Sequence, residues 1–142
     1  MIIRKTCTLE SLGDFRSKAV KGNYEVFLYS FIVTIETMDG PVRQAKVGYT
    51  ASPYEMRCYK RPLSDDIAFL NIRCESPVLA TILNNWKKGL LTPKQAQDLI
   101  TPLVEVPVHK ALEASGFEKN GETFRKEGFT MDEIKTIAMD VL

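Results

Sequence analysis

The sequence predicts an α/β or α+β fold, with a small central antiparallel or mixed β-sheet flanked by helices. Three runs rich in β-branched and aromatic residues, at residues 24–36, 42–48 and 66–74, have the composition of strands. Between and after them lie segments that begin with the cap residues typical of helices. Strands from separated segments must share one sheet with helices packed against it. The 142 residues contain no repeat, low-complexity tract or Gly/Ser linker, so we expect a single domain over residues 1–142.

The first half of the chain is organised around a predicted β-hairpin. The first two strand-like runs are separated by Asp39-Gly40, which supplies the positive-φ position of a tight turn. Ser52-Pro53-Tyr54-Glu55 then combines an N-cap serine, a proline at the first helical position and a glutamate at N3. This pattern predicts a short helix that carries Arg57 and Arg61.

The second half of the chain predicts helices and a further hairpin. Ser76-Pro77 and Thr92-Pro93 each begin a helix, and Pro107 begins another that ends at Gly116. Because proline is favoured in the first turn, Glu105 is expected to precede the helix that carries His109. The remaining predicted elements are a tight Asn-Gly hairpin over residues 117–124 and a final amphipathic helix capped by Thr130.

Composition restricts the classes of function. The three cysteines form no CxxC pair, which argues against a zinc site and against a secreted disulfide framework. The chain has no apolar run long enough to span a bilayer and no signal-peptide core, so a cytoplasmic location and no membrane partner are expected. The net charge is only +1, although residues 1–61 carry 10 Lys/Arg against 6 Asp/Glu and residues 62–142 carry 9 against 12. The first half could therefore present a modest basic face.

Five residues have the chemistry that phosphodiester cleavage requires: Tyr29, Lys46, Arg57, His109 and Glu122. A carboxylate can hold a metal ion that polarises a phosphate, and arginine or lysine can offset the charge that grows on its oxygens. A phenol, an imidazole or a water can take the proton of the nucleophile. None of these residues is diagnostic alone.

Their order and surroundings resemble the GIY-YIG nuclease superfamily, in which two tyrosine-bearing strands form a hairpin and the next helix presents an arginine. Phe27-Leu28-Tyr29 stands at the first motif and Lys46-Val47-Gly48-Tyr49-Thr50 at the second, with lysine in place of the second tyrosine, as in a branch common in phage-encoded proteins. Glu105 to Leu112 and Gly121-Glu122-Thr123-Phe124 match the histidine helix and the later glutamate element of that branch. The resemblance extends from about residue 24 to residue 137. Residues 77–103 are more helical than expected of this branch and look like an insertion that would cover the site, bind a partner or extend the core.

The resemblance implies a metal-dependent endonuclease that hydrolyses nucleic acid, with DNA the expected polymer. Tyr29 would act as general base or orient the nucleophile, supported by Lys46 or Tyr49, and His109 would assist proton transfer. Glu122 would bind Mg²⁺ or Mn²⁺. The implied nucleic-acid contacts are Arg57, which would hold the scissile phosphate, and the neighbouring basic residues Arg43, Lys60 and Arg61.

Other interpretations also fit the sequence. Tyr29 suits a core residue with a tethered hydroxyl, His109 a structural histidine, and Glu122 an exposed residue of a tight hairpin. A GIY-YIG-like domain without turnover would instead bind nucleic acid or a host protein, and it would suit the altered second motif and the near-neutral charge. A third alternative is a small-molecule-binding protein. A homodimer or a protein partner is also compatible with the sequence.

Overall fold

The computed structural model describes residues 4–8, 24–51 and 69–142 of the chain. Within these ranges the protein is an α+β fold with a six-stranded antiparallel sheet, which confirms the predicted fold class. The strands are β1 (Arg4–Thr8), β2 (Val26–Thr37), β3 (Gly40–Thr50), β4 (Phe69–Glu75), β5 (Glu118–Asn120) and β6 (Thr123–Arg125). The helices are α1 (Pro77–Lys87), α2 (Pro93–Ala114) and α3 (Met131–Val141). The helix predicted after Ser52 lies outside the described residues.

The sheet has the strand order β1-β4-β2-β3-β6-β5, so the long β2–β3 hairpin is at its centre. Both predicted hairpins are confirmed, and each turns at a glycine with positive φ, +110° at Gly40 and +65° at Gly121. Strand β1 was not predicted from the sequence. Its residues Arg-Lys-Thr-Cys-Thr have little apolar character, and only their pairing with β4 identifies them as a strand.

Alternation along the strands divides the side chains between two faces of the sheet. Leu28, Val47 and Ile72 belong to the buried apolar cluster that also contains residues of all three helices. The residues next to Leu28 and Val47 in sequence point to the opposite face because successive side chains of a strand alternate. Tyr29 and Lys46 therefore lie on the face away from the helices.

Helix α2 corrects the prediction that a separate helix begins at Pro107. It runs without interruption from Pro93 to Ala114, with Pro102 and Pro107 inside it. Its buried residues recur at every fourth position, Ala96, Ile100, Val104, Val108 and Leu112, so one apolar stripe crosses both prolines. A proline removes one backbone hydrogen bond from a helix, but burial of a continuous stripe outweighs that loss here.

Residues 77–103 extend the core. Leu79, Ile82 and Trp86 of α1 are buried, and the Trp86 ring meets the Tyr24 ring edge-on with centroids 5.4 Å apart. Ser76 caps α1 by accepting from the Leu79 N–H, and Thr92 and Gln95 form a capping box at the start of α2. Of the three outcomes considered for this segment, extension of the core is the one that the packing supports. None of the described helices is both long enough and apolar enough to cross a membrane.

Candidate functional site

The predicted residues Lys46 and Glu122 meet in an ion pair, with 2.6 Å between Lys46 Nζ and Glu122 Oε2. Lys46 is on β3, and Glu122 belongs to the turn between β5 and β6. The short strand β6 brings this turn to β3 by pairing Thr123 with Lys46, and the Val47 N–H then donates to the Glu122 carbonyl over 3.0 Å. The Lys46 side chain is 17% exposed and that of Glu122 is 48% exposed, so solvent reaches the pair mainly from the carboxylate side.

Tyr29 lies next to this pair, on the neighbouring strand and on the same face of the sheet. It is the cross-strand partner of Gly48, and Phe31 is the partner of Lys46. A Cβ atom at position 48 would stand 2.9 Å from the Tyr29 hydroxyl oxygen and 3.1 Å from Cζ, so the ring lies directly over Gly48. The absence of a side chain at Gly48 makes room for the phenol, which is buried with 6% exposure and stacks on Phe31.

Tyr49 and Arg43 are directed away from Lys46 and Glu122. The Tyr49 hydroxyl is 2.8 Å from Thr101 Oγ1 and donates to the Gln97 carbonyl over 3.3 Å, so this tyrosine faces helix α2. Arg43 Nη1 donates to the Phe129 carbonyl, and its guanidinium lies 4.5 Å from the centre of the Phe129 ring. In this arrangement both side chains join the sheet to other parts of the fold. The other predicted contacts with nucleic acid, Arg57, Lys60 and Arg61, lie outside the described residues.

His109 approaches the same part of β3 from the helix side. Its Nε2 is 2.8 Å from the Val47 carbonyl oxygen, and its ring lies 4.8 Å from that of Phe124. Because a carbonyl only accepts, Nε2 carries the hydrogen. Glu105 Oε1 is 3.8 Å from Nε2, so the expectation that Glu105 precedes the helix is wrong: both residues lie inside α2, four positions apart on one face.

Burial shifts the pKa values of His109 and Cys74 in opposite directions. It lowers the pKa of His109, although the Val47 carbonyl and the charges of Glu122 and Glu113 act in the other direction, while Lys119 lowers it further. His109 is therefore neutral at pH 7. Burial raises the pKa of the Cys74 thiol to about 12, so the thiol stays protonated at neutral pH.

The described residues offer at most a minimal metal site. In residues 24–51 and 69–142, no three His, Cys, Asp or Glu side chains are grouped closely enough to hold a metal ion. Glu122 would be a single carboxylate ligand, and one of its oxygens already contacts the Lys46 ammonium. Mg²⁺ accepts such sites, because it keeps several waters and often shares its ligands between one or two carboxylates and the phosphates of a substrate.

Of the residues selected from sequence, the fold thus brings together Lys46, Glu122 and Tyr29. His109 contacts the backbone carbonyl of Val47, the residue after Lys46. Sequence reasoning overlooked Gly48, although a glycine inside a strand often marks the close approach of another group. It also placed Glu105 before the helix of His109, whereas both residues lie in α2. Comparison of the chain with protein-family models, with curated proteins and with solved structures finds no match.

Proposed function

We propose that the chain is a metal-dependent endonuclease that hydrolyses nucleic-acid phosphodiester bonds, with DNA the expected substrate. The observation that supports it is the Lys46–Glu122 ion pair on the sheet face that also carries Tyr29. A carboxylate, an ammonium and a phenol on one surface can respectively hold a cation, contact a phosphate oxygen and orient a nucleophile. The motif resemblance supplies the same three residues independently of the fold.

Glu122 is the residue that would hold Mg²⁺ or Mn²⁺. When bound, the ion would polarise the phosphate and offset the charge that develops on it. Lys46 would turn from the carboxylate to the scissile phosphate, since its ammonium is already within reach of this surface. The Tyr29 hydroxyl would orient the attacking water from the neighbouring strand, and Gly48 would leave the space that this position needs.

The same ion pair predicts that metal and nucleic acid bind together. In the free protein the Lys46 ammonium neutralises Glu122, so the pair attracts a divalent cation only weakly. A phosphate that engages Lys46 would release the carboxylate and add its own oxygens as ligands. We therefore expect Mg²⁺ affinity to be low alone and higher with DNA, and we expect Lys46→Met to raise the affinity of the free protein for Mn²⁺, measured by calorimetry.

Cleavage of supercoiled plasmid and labelled oligonucleotides, in Mg²⁺ and in Mn²⁺, tests the proposal. Glu122→Gln should abolish cleavage without lowering the melting temperature by more than about 4 °C, because a half-exposed ion pair contributes only about 0–1 kcal/mol. Glu118→Gln is the matched control, since this exposed glutamate of the same hairpin pairs with Arg125 at 3.0 Å and is expected to be dispensable. A folded wild-type protein that cleaves no DNA or RNA with either metal would contradict the proposal.

The second candidate is a domain that binds nucleic acid or a protein partner without turnover. Two observations suit this candidate as well: Glu122 is already neutralised by Lys46, and only 6% of Tyr29 is exposed. Fluorescence anisotropy with labelled DNA separates the candidates, because this domain would bind at low salt and leave the strand intact. With a net charge of +1, the affinity should fall only slightly as salt increases.

A further inference from the structure

Val47 continues the contact between β3 and the glutamate turn after the pairing of β6 with β3 has ended. Strand β6 pairs Phe124 with Ala45 and Thr123 with Lys46, and then the chain enters the turn at Glu122. Beyond that point the Val47 N–H donates to the Glu122 carbonyl, and the Val47 carbonyl accepts from His109 Nε2 over 2.8 Å. One residue of β3 thus joins the glutamate turn to helix α2.

The surroundings of His109 argue against direct proton transfer. The protonated ring nitrogen, Nε2, already donates to the Val47 carbonyl, and the ring packs against Phe124. His109 is buried among the residues of the helix face, whereas Lys46 and Tyr29 point to the opposite face of the sheet. A substrate that lies against Lys46 and Tyr29 would have the sheet between itself and the imidazole.

We propose that His109 is a positioning residue that holds the Val47 segment of β3, and through it the Lys46–Glu122 pair, in place from helix α2. The effect on catalysis rests on the proposed function, whereas the effect on the sheet does not. Histidine suits this position because one ring provides both the N–H for the carbonyl and an aromatic face for Phe124. Among the residues that the structure describes, the charged groups around it are Glu105 and Glu113 of α2, Lys119 of β5 and Glu122 of the turn.

Two substitutions separate positioning from proton transfer. The side-chain amide of His109→Gln can still donate to the Val47 carbonyl but cannot exchange protons near neutral pH, whereas His109→Leu fills similar space without a donor. Lys110→Gln is the control, because this neighbour of His109 on α2 is exposed.

The first measurement is amide hydrogen exchange, which needs no activity. In His109→Leu the Val47 amide should exchange about tenfold faster than in wild type, because a hydrogen bond that anchors this segment to α2 is lost. Exchange at Leu28 and Ile72, in the centre of the sheet, should change little. In His109→Gln and in the control, Val47 should exchange as in wild type. An unchanged Val47 amide in folded His109→Leu, or equally fast exchange in both His109 variants, would overturn the proposal.

The second measurement is cleavage as a function of pH. If His109 positions, His109→Gln should retain cleavage within about threefold and keep the wild-type pH profile, while His109→Leu should lose at least about tenfold. If His109 instead transfers a proton, both variants should lose activity equally, and the part of the pH–activity profile that depends on the ionisation of His109 should disappear. Either result would refute the positioning role. A wild-type protein without cleavage would contradict the proposed function alone, since the exchange data would still decide the role of His109.

Discussion

Gly48→Ala tests whether the glycine between Val47 and Tyr49 is needed to seat Tyr29. The new Cβ would lie 2.9 Å from the tyrosine hydroxyl oxygen, closer than side chains tolerate, and 3.1 Å from Cζ, which is tighter than most contacts of a Cβ atom. The ring cannot simply swing aside, because it is buried and stacked on Phe31 at a centroid distance of 6.1 Å. The backbone at Gly48 is not in the left-handed region, so the conflict is one of space alone.

The expected cost arises from overpacking in a closed site. Forcing one extra carbon into a packed region costs about 1–3 kcal/mol, which corresponds to a fall in melting temperature of about 3–12 °C for a chain of this size. In a Tyr29→Leu background the two close atoms are absent. There the same Gly48→Ala change should be neutral or stabilise by up to about 1 kcal/mol, because alanine restricts the unfolded chain more than glycine does.

Urea denaturation of the four proteins in this double-mutant cycle provides the assay. We expect a coupling free energy of about 1–4 kcal/mol between positions 29 and 48. An equal cost of Gly48→Ala in both backgrounds would refute the idea that Gly48 makes room for the phenol. If Tyr29 orients the nucleophile, the single variant should also lose cleavage to a greater extent than its stability loss explains.

Three further predictions concern the core and helix α2. Ser30 Oγ is buried and has no hydrogen-bond partner in the described part of the chain. Ser30→Ala should therefore leave the urea midpoint unchanged or raise the free energy of unfolding by about 1 kcal/mol. A decrease of more than about 1 kcal/mol would show that the hydroxyl does form a hydrogen bond. Pro102 is exposed inside α2, and Pro102→Ala should restore a backbone donor and stabilise by about 1–2 kcal/mol in thermal melts. Burial lowers the pKa of His109 from 6.5, so as pH falls the histidine of the unfolded chain is protonated before that of the folded chain. The free energy of unfolding should therefore be highest above pH 6.5 and should decrease as pH falls towards the lowered pKa of the folded state. In thermal melts across about pH 5–7, His109→Gln should not show this decrease.

Local chemistry made the helix caps of the second half and the turns of both hairpins predictable. Ser76, Thr92 and Thr130 begin helices in the structure as their side chains and the residues after them indicated. Gly40 and Gly121 turn the two hairpins for an equally local reason, since both adopt positive φ. Each of these caps and turns is formed by residues within about four positions of one another, and a local sequence pattern contains all of those residues.

Helix α2 shows where local rules fail. Pro107 is a good start signal, but the helix continues through it because the apolar stripe from Ala96 to Leu112 packs against the rest of the core. This continuity places Glu105 and His109 on one face. Strand β1 depends in the same way on a partner, β4, whose paired residues are 63 to 71 positions away in the chain.

The sequence by itself predicted the α+β class, the two hairpins, the helix starts at Ser76, Thr92 and Thr130, and the short list that contains Tyr29, Lys46 and Glu122. Only the tertiary structure decided that Lys46 and Glu122 form an ion pair, that Tyr29 lies over Gly48, and that His109 binds the backbone of β3 from the opposite face. The physical reason is the range of the interactions. Capping and turn formation depend on neighbours in the chain, whereas the face on which a side chain lies and the groups that it meets depend on strand register and helix packing, which residues far apart in sequence establish together.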